Sequence, residues 1–226
     1  MKDSNENLKM EQRDTHMEYP LGQGVFIPPR LNAQRQHECL LWQYLIQRII
    51  SQVNQGYVYY ACFNIPDIKM PDIERIDTKI ILKYNTYISK DQRYRFKSKG
   101  MANFQYFRFH AFGIVLATTG TIAVKDCEKF QSINTKPILI KVESIELQIR
   151  KMKGVDKKSR FTVSLSDKCM LGFKSYFKDL ARRKQPETII SKYDNLNGIP
   201  CYTGIIANKS KLIRYIDYLS RIHKGL

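Results

Sequence analysis

Between Arg93 and His110 the chain interleaves cations with aromatic rings: Arg93-Tyr94-Arg95-Phe96-Lys97-Ser98-Lys99-Gly100-Met101-Ala102-Asn103-Phe104-Gln105-Tyr106-Phe107-Arg108-Phe109-His110. No acidic residue falls between Gln92 and Lys125. Ammonium and guanidinium groups neutralise phosphates, and planar rings stack on unpaired bases, so this is the composition of a nucleic-acid surface. Arg93 and Arg95 suit forked pairing with phosphate oxygens, with Lys97, Lys99 and Arg108 as further cations. Tyr94, Phe96, Tyr106 and Phe107 are the rings that suit stacking. Strand alternation sets a limit: Phe107 and Phe109 share one face, Phe104, Tyr106 and Arg108 the other, so at least two rings belong to a core.

A second cationic set is Lys174, Lys178, Arg182 and Arg183. Positions 174, 178 and 182 recur every four residues and form one stripe of a helix, fit to lie along a phosphate backbone or simply to face water. The basic turn Lys151–Arg160 reads as a flexible arm or plain loop. A third constellation is catalytic. Pro66-Asp67 followed by Asp77-Thr78-Lys79 matches the acid and acid-any-lysine spacing of a metal-dependent nuclease, in which two carboxylates hold Mg²⁺ and the lysine polarises water. That chemistry needs Lys79 on a strand, whereas Ile76, Ile80, Tyr84 and Ile88 are spaced for a helix. Mg²⁺ is the one cofactor implied, and only by this reading. His16, His37, His110 and His223 form no metal motif, and no phosphate-binding glycine loop occurs.

The charge supports a polyanionic partner. The 226 residues carry 38 Lys+Arg against 21 Asp+Glu, a formal +17. Residues 1–75 hold 8 basic and 9 acidic side chains, residues 76–150 hold 13 and 6, and residues 151–226 hold 17 and 6. All the excess lies after Arg75. An AT-rich genome inflates lysine without functional demand, so the arginines are the better witnesses. Five cysteines, odd in number and without a CxxC pair, argue against a disulfide framework or zinc ribbon and for a reducing, intracellular compartment: the cytoplasm, or an organelle with an AT-rich genome. Neither a secretory signal nor a membrane-length apolar run is expected.

Residues 1–36 read as a disordered or loosely docked tail, with Val25-Phe26-Ile27 as the docking point. Residues 37–226 read as one basic domain with a sub-boundary at 64–75. A helix is expected from His37 to Val53 with Leu40, Leu41, Tyr44, Leu45, Ile49 and Val53 inward, then a strand over 57–63 and a proline-punctuated loop over 65–74. Phe104–His110 and Ile114–Thr119 read as a hairpin. Residues 138–149 are one bulged strand or two short ones. Phe161, Val163 and Leu165 alternate as another strand. Ser166 or Asp167 caps a helix to about Lys184, Pro186 starts a short one, and Asn208 caps a last one that ends at Gly225. This order predicts an α+β fold, with an antiparallel or mixed sheet and helices packed on one side.

From about Ile76 onward the chain resembles an uncharacterised bacterial protein family. The residues are Arg93-x-Arg95-x-Lys97-x-Lys99-Gly100-x-Ala102-Asn103-x-x-Tyr106-x-Arg108, then Val115-Leu116-Ala117-Thr118-x-Gly120, then Lys174-x-Tyr176-Phe177-x-x-Leu180-Ala181. The resemblance implies a link to mobile elements. It also implies histidines where this chain has Thr119 and Ile122, which weakens an enzymatic role. The reading expected is a DNA- or RNA-binding protein, an accessory or replication factor of a plasmid or mobile element. The alternatives are a Mg²⁺-dependent nuclease and a scaffold for an acidic protein.

Overall fold

The computed structural model describes residues 37–121, 129–153 and 159–223. These lie within a unit spanning Gln36–Leu226. The expected tail, the docking point at residues 25–27, and the stop at Gly225 lie outside the described residues, as do Ile122 and the tip of the basic turn, residues 154–158.

The fold is α+β. Its first sheet is antiparallel, in the order β2-β3-β1-β4. β1 is Tyr59–Asn64, β2 Phe104–Phe109, β3 Phe112–Ala117 and β4 Gln131–Ser132. His110 and Ala111 make the β2–β3 turn, His110 adopting the left-handed conformation that tight hairpins demand. A second antiparallel sheet, β5-β6-β7, is built from Ile138–Val142, Ile145–Lys153 and Ser159–Leu165. Residues 138–149 are therefore two strands, reversed at Glu143-Ser144 with Glu143 left-handed.

One apolar core joins the two sheets. Helix α1, Trp42–Asn54, sends Leu45, Ile46, Ile49 and Val53 into it beside Phe107, Ile114 and Leu116 of the first sheet and Ile140, Leu147, Val163 and Leu165 of the second. Helix α4, Asp167–Arg182, adds Phe177, Leu180 and Ala181; α5, Pro186–Asp194, adds Ile189; α6, Thr203–Ile222, adds Ile205, Leu212 and Leu219. The first sheet is covered on its other face by α2, Ile73–Tyr84, which follows a 3-10 turn over Asp67–Asp72 and directs Asp77, Ile81 and Tyr84 inward. Helix α3, Lys90–Ser98, follows it, and Arg93 hydrogen-bonds to the β2 backbone.

Three expectations are corrected. Helix α1 starts at Trp42 rather than His37. Residues 37–39 instead run beside β2, with Arg108 N–H donating to His37 O at 2.8 Å and Cys39 N–H to Arg108 O at 2.7 Å. Leu40 and Leu41 are consequently exposed, at 82% and 64%, and Tyr44 is also exposed. Asn208 does not cap α6 but sits within it, buried, where its Oδ1 accepts from Leu165 N–H at 2.8 Å. β7 is an edge strand, and this side chain satisfies a donor that no neighbouring strand reaches. The inward stripe of α2 is Asp77, Ile81 and Tyr84 rather than Ile76, Ile80 and Tyr84, because an acid occupies a core position. Ser166 caps α4 as expected, accepting from Cys169 N–H at 3.1 Å, and Pro186 opens α5.

Candidate nucleic-acid interface

The cation-aromatic stretch divides at Gly100. Its first half is α3, held at its start by a capping box: Ser89 Oγ accepts from Gln92 N–H at 3.2 Å and Gln92 Oε1 from Ser89 N–H at 2.9 Å. None of its residues is fully buried. Arg93 anchors it. Its guanidinium donates to Tyr57 Oη at 3.3 Å, to Phe104 O at 3.2 Å and to Thr86 O at 2.9 Å. Once its amide oxygen is turned toward the guanidinium, Gln105 accepts a further bond at 2.7 Å. Tyr94 is 74% exposed, and Arg95, Lys97 and Lys99 are exposed as well. No acidic side chain among the described residues pairs with these three cations.

The second half is β2, and its charged and polar groups point inward. Arg108 is only 5% exposed and Tyr106 only 2%. Arg108 Nε lies 3.0 Å from both oxygens of Asp77, its Nη2 pairs with Glu38 at 3.0 Å, and its Nη1 donates to His110 O at 3.2 Å. Tyr106 Oη donates to Asp77 Oδ1 at 2.6 Å, and His37 Nε2 donates to Asp77 Oδ2 at 2.9 Å. Burial pushes the Asp77 carboxyl upward, but the hydrogen bonds from His37 and Tyr106 and the charges of His37 and Arg108 outweigh it, and its pKa ends below the ordinary value. Burial and the adjacent carboxylate drive the Tyr106 phenol upward. Its ring stacks between His37, 5.4 Å away, and Phe63, 6.1 Å away. Phe63 reaches it across β3 because Gly113 lies between them and any Cβ there would collide with the Phe63 ring. Phe104 and Phe107 are buried too, the latter under the Arg48 guanidinium.

Of the residues expected at the surface, Arg93, Tyr106 and Arg108 are therefore structural. Tyr94, Arg95, Lys97 and Lys99 are presented to solvent. On α4, Lys178, Arg182 and Arg183 are exposed, Arg183 pairing with Asp179 at 3.0 Å, while Lys174 lies over the Tyr215 ring at 5.6 Å. Lys178 and Arg182 thus remain exposed on the stripe, while the paired cation, Arg183, lies off it at the helix C-cap.

The acid-any-lysine set does not assemble as a nuclease requires. Asp77 and Lys79 are on a helix, with Asp77 inward and Lys79 outward, and Asp67 is exposed on the 3-10 turn. Both Asp77 oxygens are already occupied by protein donors, so the residue does not fit a metal ligand's role. Among the described residues no group of three or more His, Cys, Asp and Glu is placed to hold a metal ion. Sequence reasoning missed the His37–Glu38–Asp77–Tyr106–Arg108 network. The signal was present: Asp77 shares a four- and three-residue spacing with Ile81 and Tyr84, and an acid on an apolar stripe requires an internal partner.

Cys39, Cys62, Cys169 and Cys201 are free thiols. Among the described residues no helix is long and apolar enough to cross a membrane. No protein-family model, curated protein or solved structure matches this chain.

Proposed function

We propose that the protein binds a nucleic acid, with α3 as the principal contact and the α4 stripe as a secondary one, and that it serves as an accessory or replication factor of a mobile element. One observation carries the binding reading. In a stretch where Arg93 is tied to backbone carbonyls and Arg108 is buried, Arg95, Lys97 and Lys99 stand exposed beside an exposed Tyr94, without an acidic partner among the described residues. Three cations and a ring on one short helix and its C-cap favour phosphates and an unpaired base over a neutral partner.

The test is binding of labelled single- and double-stranded DNA and RNA across a salt series, with wild type and with the Arg95→Ala/Lys97→Ala/Lys99→Ala triple variant. Loss of three phosphate contacts should flatten the log–log salt slope by about 2 to 3. Stability should change by no more than about 0.5 kcal/mol per site, since all three side chains are exposed. An unchanged slope in the triple variant would remove α3 as the interface. Absence of binding at low salt would overturn the nucleic-acid reading and favour an acidic protein as partner.

A further inference from the structure

A cleft of about 150 Å³ opens between the C-terminal end of α2, helix α3 and the start of β2. Its walls are mainly apolar: Tyr84, Ile88, Phe96, Ala102 and Phe104, with Asn103 as a polar lining residue. We propose that this cleft receives one unpaired base of a single-stranded nucleic acid whose phosphates lie along Arg95, Lys97 and Lys99. The inference rests on the nucleic-acid reading above and deepens it by naming what the strand inserts.

Size, chemistry and charge converge on that occupant. An apolar cavity of this volume holds one six-membered aromatic ring. Phe96, half-buried, offers flat apolar surface of the kind that holds an extruded base, and the buried rings of Tyr84 and Phe104, packed together at 5.2 Å, back the cleft behind it. Asn103 is 5% exposed; its Nδ2 donates to Arg93 O at 3.0 Å, while its Oδ1 is buried with no donor among the described residues. An acceptor left that way is unfavourable, and in a side chain that lines the cleft a small turn of the amide would let it accept from the amino or imino N–H on a base edge. Phe96 lines the cleft between Arg95 and Lys97 in sequence, so a base entering there leaves its own phosphates beside exposed cations. The floor is fixed in advance. Ala102 N–H donates to Thr121 O at 3.1 Å and Thr121 N–H to Gly100 O at 2.8 Å, while Gly120 packs so closely that a Cβ would lie 2.6 Å from Ala102 N.

The test compares a short single-stranded oligonucleotide with an abasic sugar-phosphate strand of equal length and charge. Wild type should prefer the base-bearing strand roughly ten-fold. Ala102→Leu fills the cleft and should bring both affinities to the abasic value. Tyr94→Ala, which removes the exposed ring outside the cleft, should keep the preference. Equal wild-type affinities with a steep salt slope would overturn the base cleft while leaving the phosphate contacts standing. Binding of neither strand would overturn both readings. A preference that Tyr94→Ala removes and Phe96→Leu retains would move the base onto the helix surface and overturn the cleft, even if Ala102→Leu fails to fold.

Discussion

Residues 93–99 and 104–110 are two halves of one cationic aromatic stretch, and the structure uses them in opposite ways. In α3 and its C-cap, Arg95, Lys97 and Lys99 face water. In β2 the one arginine is buried at a five-residue polar junction that includes the neighbouring Tyr106. Residue type does not separate the halves, for both read as arginine and aromatic ring. The difference lies in what each half meets. β2 is covered by α2, which brings Asp77 to the place where Arg108 arrives. The Arg108 guanidinium leaves water fully because a carboxylate waits for it with good geometry. Arg95, Lys97 and Lys99 meet no such group among the described residues, and so remain on the surface.

The most severe way to break this contrast is to remove the waiting carboxylate. Asp77→Ala leaves Arg108 buried with only Glu38 as counter-charge and strands the donors of Tyr106 and His37. A loss of about 3–5 kcal/mol is expected from urea unfolding midpoints at constant slope. Replacing both partners, Asp77→Leu with Arg108→Met, should recover much of it, because no uncompensated charge then remains. The same network sets an acid limit. Asp77 titrates below its ordinary value in the fold, so its stabilisation is complete above the unfolded-chain value of 3.8 and fades as pH falls through the folded value. Wild type should lose stability in acid more steeply than Asp77→Asn, as followed by circular dichroism. Parallel acid curves would show that the network contributes no linkage.

Arg93 sharpens the comparison, because it lies within the exposed helix yet behaves like Arg108. Arg93→Ala deletes donors to Thr86 O, Phe104 O and Tyr57 Oη, and bonds from a charged donor are worth about 1.5–3 kcal/mol. Its cost should appear in thermal stability. The salt slope of binding, measured on the folded fraction, should change by less than in Lys97→Ala. If Arg93→Ala flattens the slope as much as Lys97→Ala while leaving the melting temperature unmoved, the division of the stretch into anchor and contact residues is wrong.

The difference between these arginines was only half legible in the sequence. Alternation over 104–109 assigned Phe104, Tyr106 and Arg108 to one face, and that is the face they share. It could not say that both faces of β2 are covered, since α1 and α2 come from 42–54 and 73–84, and neither announces which side it will take. The partner of Arg108 is 31 residues away in Asp77 and 70 away in Glu38, distances at which local spacing is silent. The start of α1 was misjudged for the same reason. The apolar spacing of Leu40 and Leu41 continues that of Tyr44 and Leu45, but the pairing of residues 37–39 with β2 holds the chain extended there. Signals that act within a few residues were readable. The hairpin, expected to turn over 111–113 and found to turn at 110–111, the Ser166 cap and the helix opened by Pro186 all follow from groups close in sequence.

The smallest expected effect distinguishes how the two regions are held. Ser89 and Ser166 are both helix caps accepting from the third residue of their helix. Ser89→Ala should cost about 1 kcal/mol at most, and the cost should be local. α3 has no fully buried residue, so its first turn can open while the core stays closed, and amide exchange at Gln92 and Arg93 should quicken ahead of global unfolding. Ser166 is 3% exposed and caps a helix whose Phe177 and Leu180 lie in the main core. Ser166→Ala strands the Cys169 N–H away from water, and its cost should reach about 2 kcal/mol and move the global transition. Equal, global shifts for the two substitutions would mean that α3 is as firmly integrated as α4. Its exposed cations would then belong to a rigid face rather than to a short helix held by one cap and one arginine.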